Sequence, residues 1–260
     1  MKQIYLAGGC FWGTEHYIRQ FQGVIDTAVG YANGSIPSPT YQQVYTDATG
    51  HVECVRVTYD PEVISLETLC RLFFRSIDPL LLNRQGEDTG TRYRTGIYWQ
   101  DEDDCKVVES VYDCIQSDLG MPLAVEKCPL ECFYPAEDYH QDYLIKNPEG
   151  YCHLSLDTLS LARTYARISK DLRSCPPVLN AGEGNHGDRD RFMGVAFPDI
   201  RNVALAYSNS SYGLIELLLE SEWYEMRMCA HLILAGKYMA EPDEVLRFYA
   251  RYRIDYVKLY

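Results

Sequence analysis

Apolar positions along the chain follow two different patterns, and the change from one to the other divides the sequence. In residues 1–154, short apolar runs alternate with helical stripes. Residues 3–6 read as a short strand that meets Gly8 and Gly9, and residues 11–21 carry helical spacing, so Cys10 stands where a strand turns into a helix. Residues 24–31 and 51–59 read as further strands, the second closed by Asp60-Pro61. Ser65 caps a helix whose Leu66, Leu69, Cys70, Phe73 and Ile77 share one face, stopped by Asp78-Pro79. Residues 93–100 read as a strand. Asp101, Glu102, Asp103 and Asp104 then open a helix, where negative charge suits the dipole, and Val107, Val108, Val111 and Ile115 form its apolar stripe. Strands and helices interleave without a regular βαβ repeat, which predicts an α+β fold.

From Ser155 onward the strand signals stop. Leu156, Leu159, Ala162, Ala166 and Ile168 form a helical stripe, residues 175–187 are rich in turn formers, and residues 200–207, 212–220, 223–239 and 245–260 read as amphipathic helices. Two domains follow, 1–154 and an all-α 155–260. Successive helix pairs in the second suit a stacked-helix solenoid, although no strict sequence repeat is present. The last helix, with Phe248, Tyr249, Tyr252, Tyr256 and Tyr260, is expected to present an aromatic face to a partner surface.

Charge separates the same two parts. The net charge is −13, yet residues 1–160 hold 11 basic and 24 acidic side chains while residues 161–260 hold 13 of each. Neither part has the basic excess that phosphate contact demands, so nucleic acid is not expected as a partner. Charged residues such as Glu216 and Glu220 interrupt every apolar run well short of a membrane span, and no secretory apolar region precedes Gly8-Gly9; the expectation is a cytoplasmic protein without a membrane partner. Ten cysteines in such a chain are expected to be reduced thiols. Cys128 and Cys132 would suit zinc only with a second pair close by, so they read as buried or loop thiols and no metal is expected.

Two residues carry candidate chemistry. A helix N-terminus offers partial positive charge and free N–H groups to a thiolate, which places Cys10 to act as a nucleophile. Beside Phe11 and Trp12 the same thiol could simply be core. On the strand over residues 51–59, Glu53 shares a face with Val55, Val57 and Tyr59, whereas Arg56 and Thr58 point the other way. A carboxyl buried on that face would have a raised pKa and serve as a proton donor; one at the strand end would reach water.

Several blocks together resemble the A-type peptide-methionine sulfoxide reductases: Gly9-Cys10-Phe11-Trp12-Gly13, Gly30-Tyr31, Pro39-Thr40-Tyr41, Thr49-Gly50-His51-Val52-Glu53, Tyr59-Asp60-Pro61, Arg84-Gln85-Gly86-Glu87-Asp88, Thr91-Arg92-Tyr93-Arg94, Pro135-Ala136-Glu137-Asp138-Tyr139-His140-Gln141 and Asn147-Pro148-Glu149-Gly150-Tyr151-Cys152. The resemblance implies a ferredoxin-like mixed sheet with helices and reduction of the S-epimer of methionine sulfoxide, free or in oxidised proteins. It implies Cys10 as nucleophile, Glu53 as proton donor, and Phe11 and Trp12 as the aromatic pair that receives the substrate methyl group. Tyr41, Asp88 and Tyr93 match the polar ring around the sulfoxide oxygen and the substrate backbone. Cys152 matches the resolving cysteine, and the disulfide it forms with Cys10 would be reduced by thioredoxin, with no cofactor. Many relatives carry one more cysteine beyond the resolving one; here His153-Leu154-Ser155-Leu156 follows instead. Cys54, Cys70, Cys105 and Cys114 are assigned to packing, and His140 to a structural role.

In the second domain, Gly187-Asp188-Arg189-Asp190-Arg191-Phe192-Met193-Gly194-Val195, Pro198-Asp199-Ile200-Arg201 and residues 223–234 resemble the N-terminal part of the HEAT-like DNA alkylation-repair proteins. The family's later block, with its Trp and catalytic Asp, is not matched before Lys258-Leu259-Tyr260. The resemblance therefore implies an incomplete HEAT-like helical domain without glycosylase activity. The alternative reading of the whole chain is a DNA-associated helical protein with an accessory reductase domain.

Overall fold

A computed structural model describes residues 1–178 and 191–252. The chain divides into two compact units, Met1–Arg163 and Thr164–Tyr260. The division falls nine residues beyond the 154/155 boundary that the change of pattern suggests, inside a continuous helix.

The first unit combines a sheet with helices. Strands β1 (Lys2–Gly8), β2 (Val24–Ala32), β3 (Val52–Tyr59), β6 (Thr95–Trp99), β7 (Glu126–Pro129) and β8 (Phe133–Pro135) form a mixed sheet in the order β7-β6-β1-β3-β2-β8, and β4 (Arg84–Gln85) pairs separately with β5 (Asp88–Thr89). Only β6 and β7 run parallel. Helices α1 (Phe11–Ile18), α2 (Tyr41–Tyr45), α3 (Leu66–Phe74) and α4 (Glu102–Leu119) lie between the strands in sequence, and α5 (Tyr143–Lys146) follows β8. The caps are those expected from composition: Ser65 accepts from the Thr68 N–H, and Asp101 accepts from the Asp103 N–H ahead of an acidic first turn.

The register explains the core. Leu6 stands opposite both Val55 and Ile97, and Val55 opposite Val29, so these apolar side chains lie abreast on one face. Helix α1 packs against β1, β2 and β3, and α3 against β1 and α1. The opposite face is also covered, because Tyr5, Ala7, Ala32, Val52, Cys54 and Tyr98 form a second buried cluster beneath Cys128, Leu130 and Phe133. That is why Cys54, on the face of Arg56, is fully buried. Tyr93 departs from the sequence expectation: it ends a 3₁₀ turn over Thr91–Tyr93, and the strand starts only at Thr95.

The second unit is helical among its described residues. Helix α6 (Leu156–Arg173) runs across the division, followed by α7 (Phe197–Ala206), α8 (Tyr212–Leu219), α9 (Tyr224–Tyr238) and α10 (Pro242–Tyr252). Helix α9 packs against α7, α8 and α10 through a core that includes Ile200, Leu218, Met226, Cys229 and Ile233. Buried Glu225 accepts backbone N–H bonds from Met193 and Gly194, which holds that loop on the start of α9. Trp223 has the Arg173 guanidinium 4.3 Å from its ring centroid and that of Arg191 at 5.3 Å. The aromatic face expected on the last helix is partly used inside the unit: Phe248 is buried and lies 5.3 Å from the Tyr212 ring. Tyr256 and Tyr260, the Tyr252 side chain, and Gly187 to Asp190 of the quoted motif lie outside the described residues. No helix among the described residues is long and apolar enough to cross a membrane.

Candidate active site

The site is built on the junction between β1 and α1. Gly9 adopts φ +84°, and a Cβ there would lie 2.6 Å from Gln85 Cβ, so both conformation and space require glycine. Cys10 follows in extended conformation as the N-cap of α1. Thr14 Oγ1 lies 3.2 Å from the carbonyl oxygens of both Gly8 and Cys10 and ties the first turn to the strand end.

Glu53 reaches this junction from β3. It is 2 % exposed, and its Oε2 accepts the Phe11 N–H at 3.0 Å, one of the donors that a helix start leaves free. Burial wins over that hydrogen bond and pushes the Glu53 carboxyl up to about 8. The thiol of Cys10 is raised well above its ordinary range, first by burial and then by Glu53, although the Trp12 and Gly13 N–H groups pull the other way. The helix start thus supplies the donors expected of it but does not make Cys10 a resident thiolate. Desolvation is the larger effect.

Aromatic and acidic groups surround the pair. The Trp12 ring stacks on Tyr143 at 3.7 Å between centroids, and its Nε1–H donates to His140 Nδ1 at 3.2 Å. Phe11 lies 6.0 Å from Tyr31, whose hydroxyl donates to Glu137 Oε2 at 2.8 Å. The other oxygen of Glu137 accepts the Tyr41 N–H at 2.8 Å. Glu137 therefore ties β2 to the start of α2. Burial and the neighbouring Glu53 push Tyr41 up to about 12 and raise Tyr93 as well. Arg92 holds Tyr93 by lying 4.5 Å over its ring while donating to Asp47 Oδ2 at 3.0 Å.

The segment after Gly150 folds onto the same place. Tyr151 donates its hydroxyl proton to Asp88 Oδ2 at 3.0 Å. A Cβ added to Gly13 would lie 3.2 Å from Cys152 Sγ and 2.6 Å from His153 Nδ1, so both side chains face the first turn of α1. Donor atoms of Cys10, Asp88 and His153 lie within 4.8 Å of one another. Burial lowers His153 to about 4 and raises the Cys152 thiol.

Comparison with known proteins decides what this arrangement belongs to. Residues 2–171 match the family model for peptide methionine sulfoxide reductase. The chain belongs to that family. It is 50% identical over 157 residues to the peptide methionine sulfoxide reductase of Clostridium botulinum strain Hall, covering 60% of this chain and all of the relative, and 48% identical, with the same coverage, to that of Mycoplasma genitalium. Among solved structures, it resembles reduced Mxr1 from Saccharomyces cerevisiae with a TM-score of 0.57 and 41% identity, covering 60% of this chain and 91% of that one. Methionine sulfoxide reductase A of Corynebacterium diphtheriae gives 0.54 and 37%, covering 58% and 77%. Residues 163–258 match the family model for DNA alkylation repair enzymes. The reductase match makes this chain an enzyme of thiol-dependent methionine sulfoxide reduction.

All eight residues singled out from the sequence, Cys10, Phe11, Trp12, Tyr41, Glu53, Asp88, Tyr93 and Cys152, belong to the elements that meet at this junction. The sequence gives no role to His153, Tyr143, Tyr31 or Glu137, and gives His140 only a structural one. Tyr31 meets Glu137 and Tyr143 meets Trp12 across more than a hundred positions of chain, and no periodicity reports such pairs.

Proposed function

We propose that residues 1–154 reduce the S-epimer of methionine sulfoxide, free or in oxidised proteins, with Cys10 as nucleophile, Glu53 as proton donor and Cys152 as resolving thiol. The carrying observation is the Glu53 carboxyl, buried against the Phe11 N–H with its pKa near 8, and therefore protonated at neutral pH beside a thiol that is also neutral. Trp12 and Phe11 receive the methyl group, in keeping with the favourable contact between sulfur groups and aromatic rings. Tyr41 and Tyr93 donate to the sulfoxide oxygen, and Asp88 borders the substrate backbone.

The protons balance without a resident thiolate. Glu53 gives its proton to the sulfoxide oxygen as Cys10 sulfur attacks, the Cys10 proton returns to the Glu53 carboxylate, and methionine leaves Cys10 as a sulfenic acid. Cys152 sulfur then displaces the hydroxyl of that sulfenic acid as water, forming the Cys10–Cys152 disulfide. A dithiol protein, thioredoxin, takes up the oxidation as its own disulfide. We further infer a ferredoxin-like arrangement for the sheet, HEAT-like stacking for residues 155–260, and a cytoplasmic location.

Single-turnover release of methionine from each sulfoxide epimer tests the reading. Cys10→Ser is expected to release none, and Glu53→Gln to slow release at neutral pH by roughly 10²-fold or more. Full activity in either variant would overturn the assigned role. The match of residues 163–258 favours a second reading, DNA association. The 13 basic and 13 acidic side chains of residues 161–260 oppose it. Tight, salt-sensitive DNA binding would decide for it.

A further inference from the structure

His153 is a half-buried titratable group that the reductase chemistry leaves without a task. Both ring nitrogens are closed off from solvent; the ring approaches the Gly8 backbone, but neither nitrogen makes a hydrogen bond of good geometry. Native interiors rarely keep such atoms unsatisfied unless a water, an ion or a ligand completes them. The ring is neutral, so it has a lone pair to offer.

What it faces is a set of ligand atoms from separate parts of the chain. The Cys10 sulfur comes from the start of α1, a carboxylate oxygen of Asp88 from β5, and a nitrogen of His153 from the segment before α6, all within 4.8 Å of one another. Thiolate, imidazole and carboxylate form the donor set of zinc, and a tetrahedral zinc ion with bonds of about 2.0–2.3 Å holds its donors roughly 3.5 Å apart. An inward shift of about an ångström would close the set. The sulfur and nitrogen donors disfavour magnesium and calcium, which require oxygen.

We propose that the reduced protein binds one zinc-class divalent cation between Cys10 Sγ, His153 and the Asp88 carboxylate, and that the bound ion switches the reductase off. Binding breaks the Cys10 S–H bond and forms a sulfur–metal bond; the proton goes to solvent and nothing is oxidised or reduced. Water fills the fourth position. The ion is an inhibitor and not a cofactor, since coordination ties up a lone pair of the Cys10 sulfur and lowers its nucleophilicity. The inhibition rests on Cys10 being the nucleophile, whereas the binding itself does not.

The test uses the full chain, reduced and then freed of thiol reagents, titrated with Co²⁺ as an optical probe. One Co²⁺ per chain is expected, with sulfur-to-metal charge-transfer absorption and the intense visible bands of tetrahedral cobalt, displaced by Zn²⁺ and not by Mg²⁺. Cys10→Ser should abolish the charge-transfer band, and His153→Asn and Asp88→Asn should each weaken binding about tenfold or more. A thermal melt of each variant establishes that it folds, and Asp88→Asn carries the test if His153→Asn does not. Wild-type affinity in a folded His153→Asn or Asp88→Asn protein would overturn the proposal. A charge-transfer band surviving Cys10→Ser would also overturn it, by placing the metal on other thiols such as Cys128 and Cys132. Zn²⁺ should stop single-turnover methionine release over the concentration range in which it displaces Co²⁺. If cobalt bound as described to a protein without reductase activity, the reductase reading would fail and the metal site would stand.

Discussion

Glu53 and Cys10 are both held neutral by the same burial, and this sets two pH dependences. With its carboxyl pushed up to about 8, Glu53 can donate a proton at neutral pH. Single-turnover reduction should therefore fall as pH rises through about 8, and Glu53→Gln should lose that limb along with its speed; stopped-flow methionine release across pH reads both. Stability is linked to the same group. The folded state keeps a proton that the unfolded carboxyl, with an ordinary pKa of 4.5, has already lost, so this contribution is complete below about 4.5 and disappears as pH rises through about 8. Melting temperature should decline over that interval in the wild type, and the part due to Glu53 should be missing in Glu53→Gln. The odd-numbered apolar face of the strand over residues 51–59 makes burial of Glu53 one of two readings, and its place near the strand start leaves the other, contact with water, open. The sign of the Cys10 shift was not readable. A helix start is visible in sequence, but the depth of desolvation that outweighs it depends on what covers the thiol.

Helix α1 acts as an element through its smallest residue. Gly13 has no room for a methyl group, because a Cβ would come within 2.6 Å of the His153 ring and 3.2 Å of Cys152 Sγ. Gly13→Ala should fold, displace the 152–153 segment, and leave release of the first methionine near wild type while slowing the turnovers that need Cys152; a burst followed by a reduced steady rate is the signature. Loss of the burst itself would mean that the substitution reaches Cys10. Elements with long regular patterns, such as β3, α3 and α4, are legible from residue spacing alone. Strands β7 and β8 are not, since each has only three or four residues, they flank the Pro129 and Cys132 loop, and they lie at the two sheet edges where one neighbour suffices. The short helix α5 escapes for the same reason, although Tyr143 within it supplies the ring on which Trp12 stacks.

For the molecule as a whole, the boundary between its parts is a matter of where α6 belongs. The unit that contains the site runs to Arg163, the reductase family match to residue 171 and the helix to Arg173. A chain ended after Arg173 should thus keep most of its reductase activity and fold cooperatively. One ended at 154 should melt at lower temperature, because it loses residues 155–163 of its own unit; coupled activity and calorimetry of the two truncations separate them. The change of pattern at Ser155 locates the change of character but cannot show that the first turns of a helix stay with what precedes them. The distribution of sulfur has a consequence at this same scale. All ten cysteines are free, none lies among the exposed residues, and burial raises the pKa of Cys10, Cys54, Cys70, Cys152 and Cys229 alike. Peroxides and alkylating agents react with thiolates, which these sites keep scarce. A repair catalyst built this way can pass through the oxidative burst that creates its work with its own thiols largely unspent.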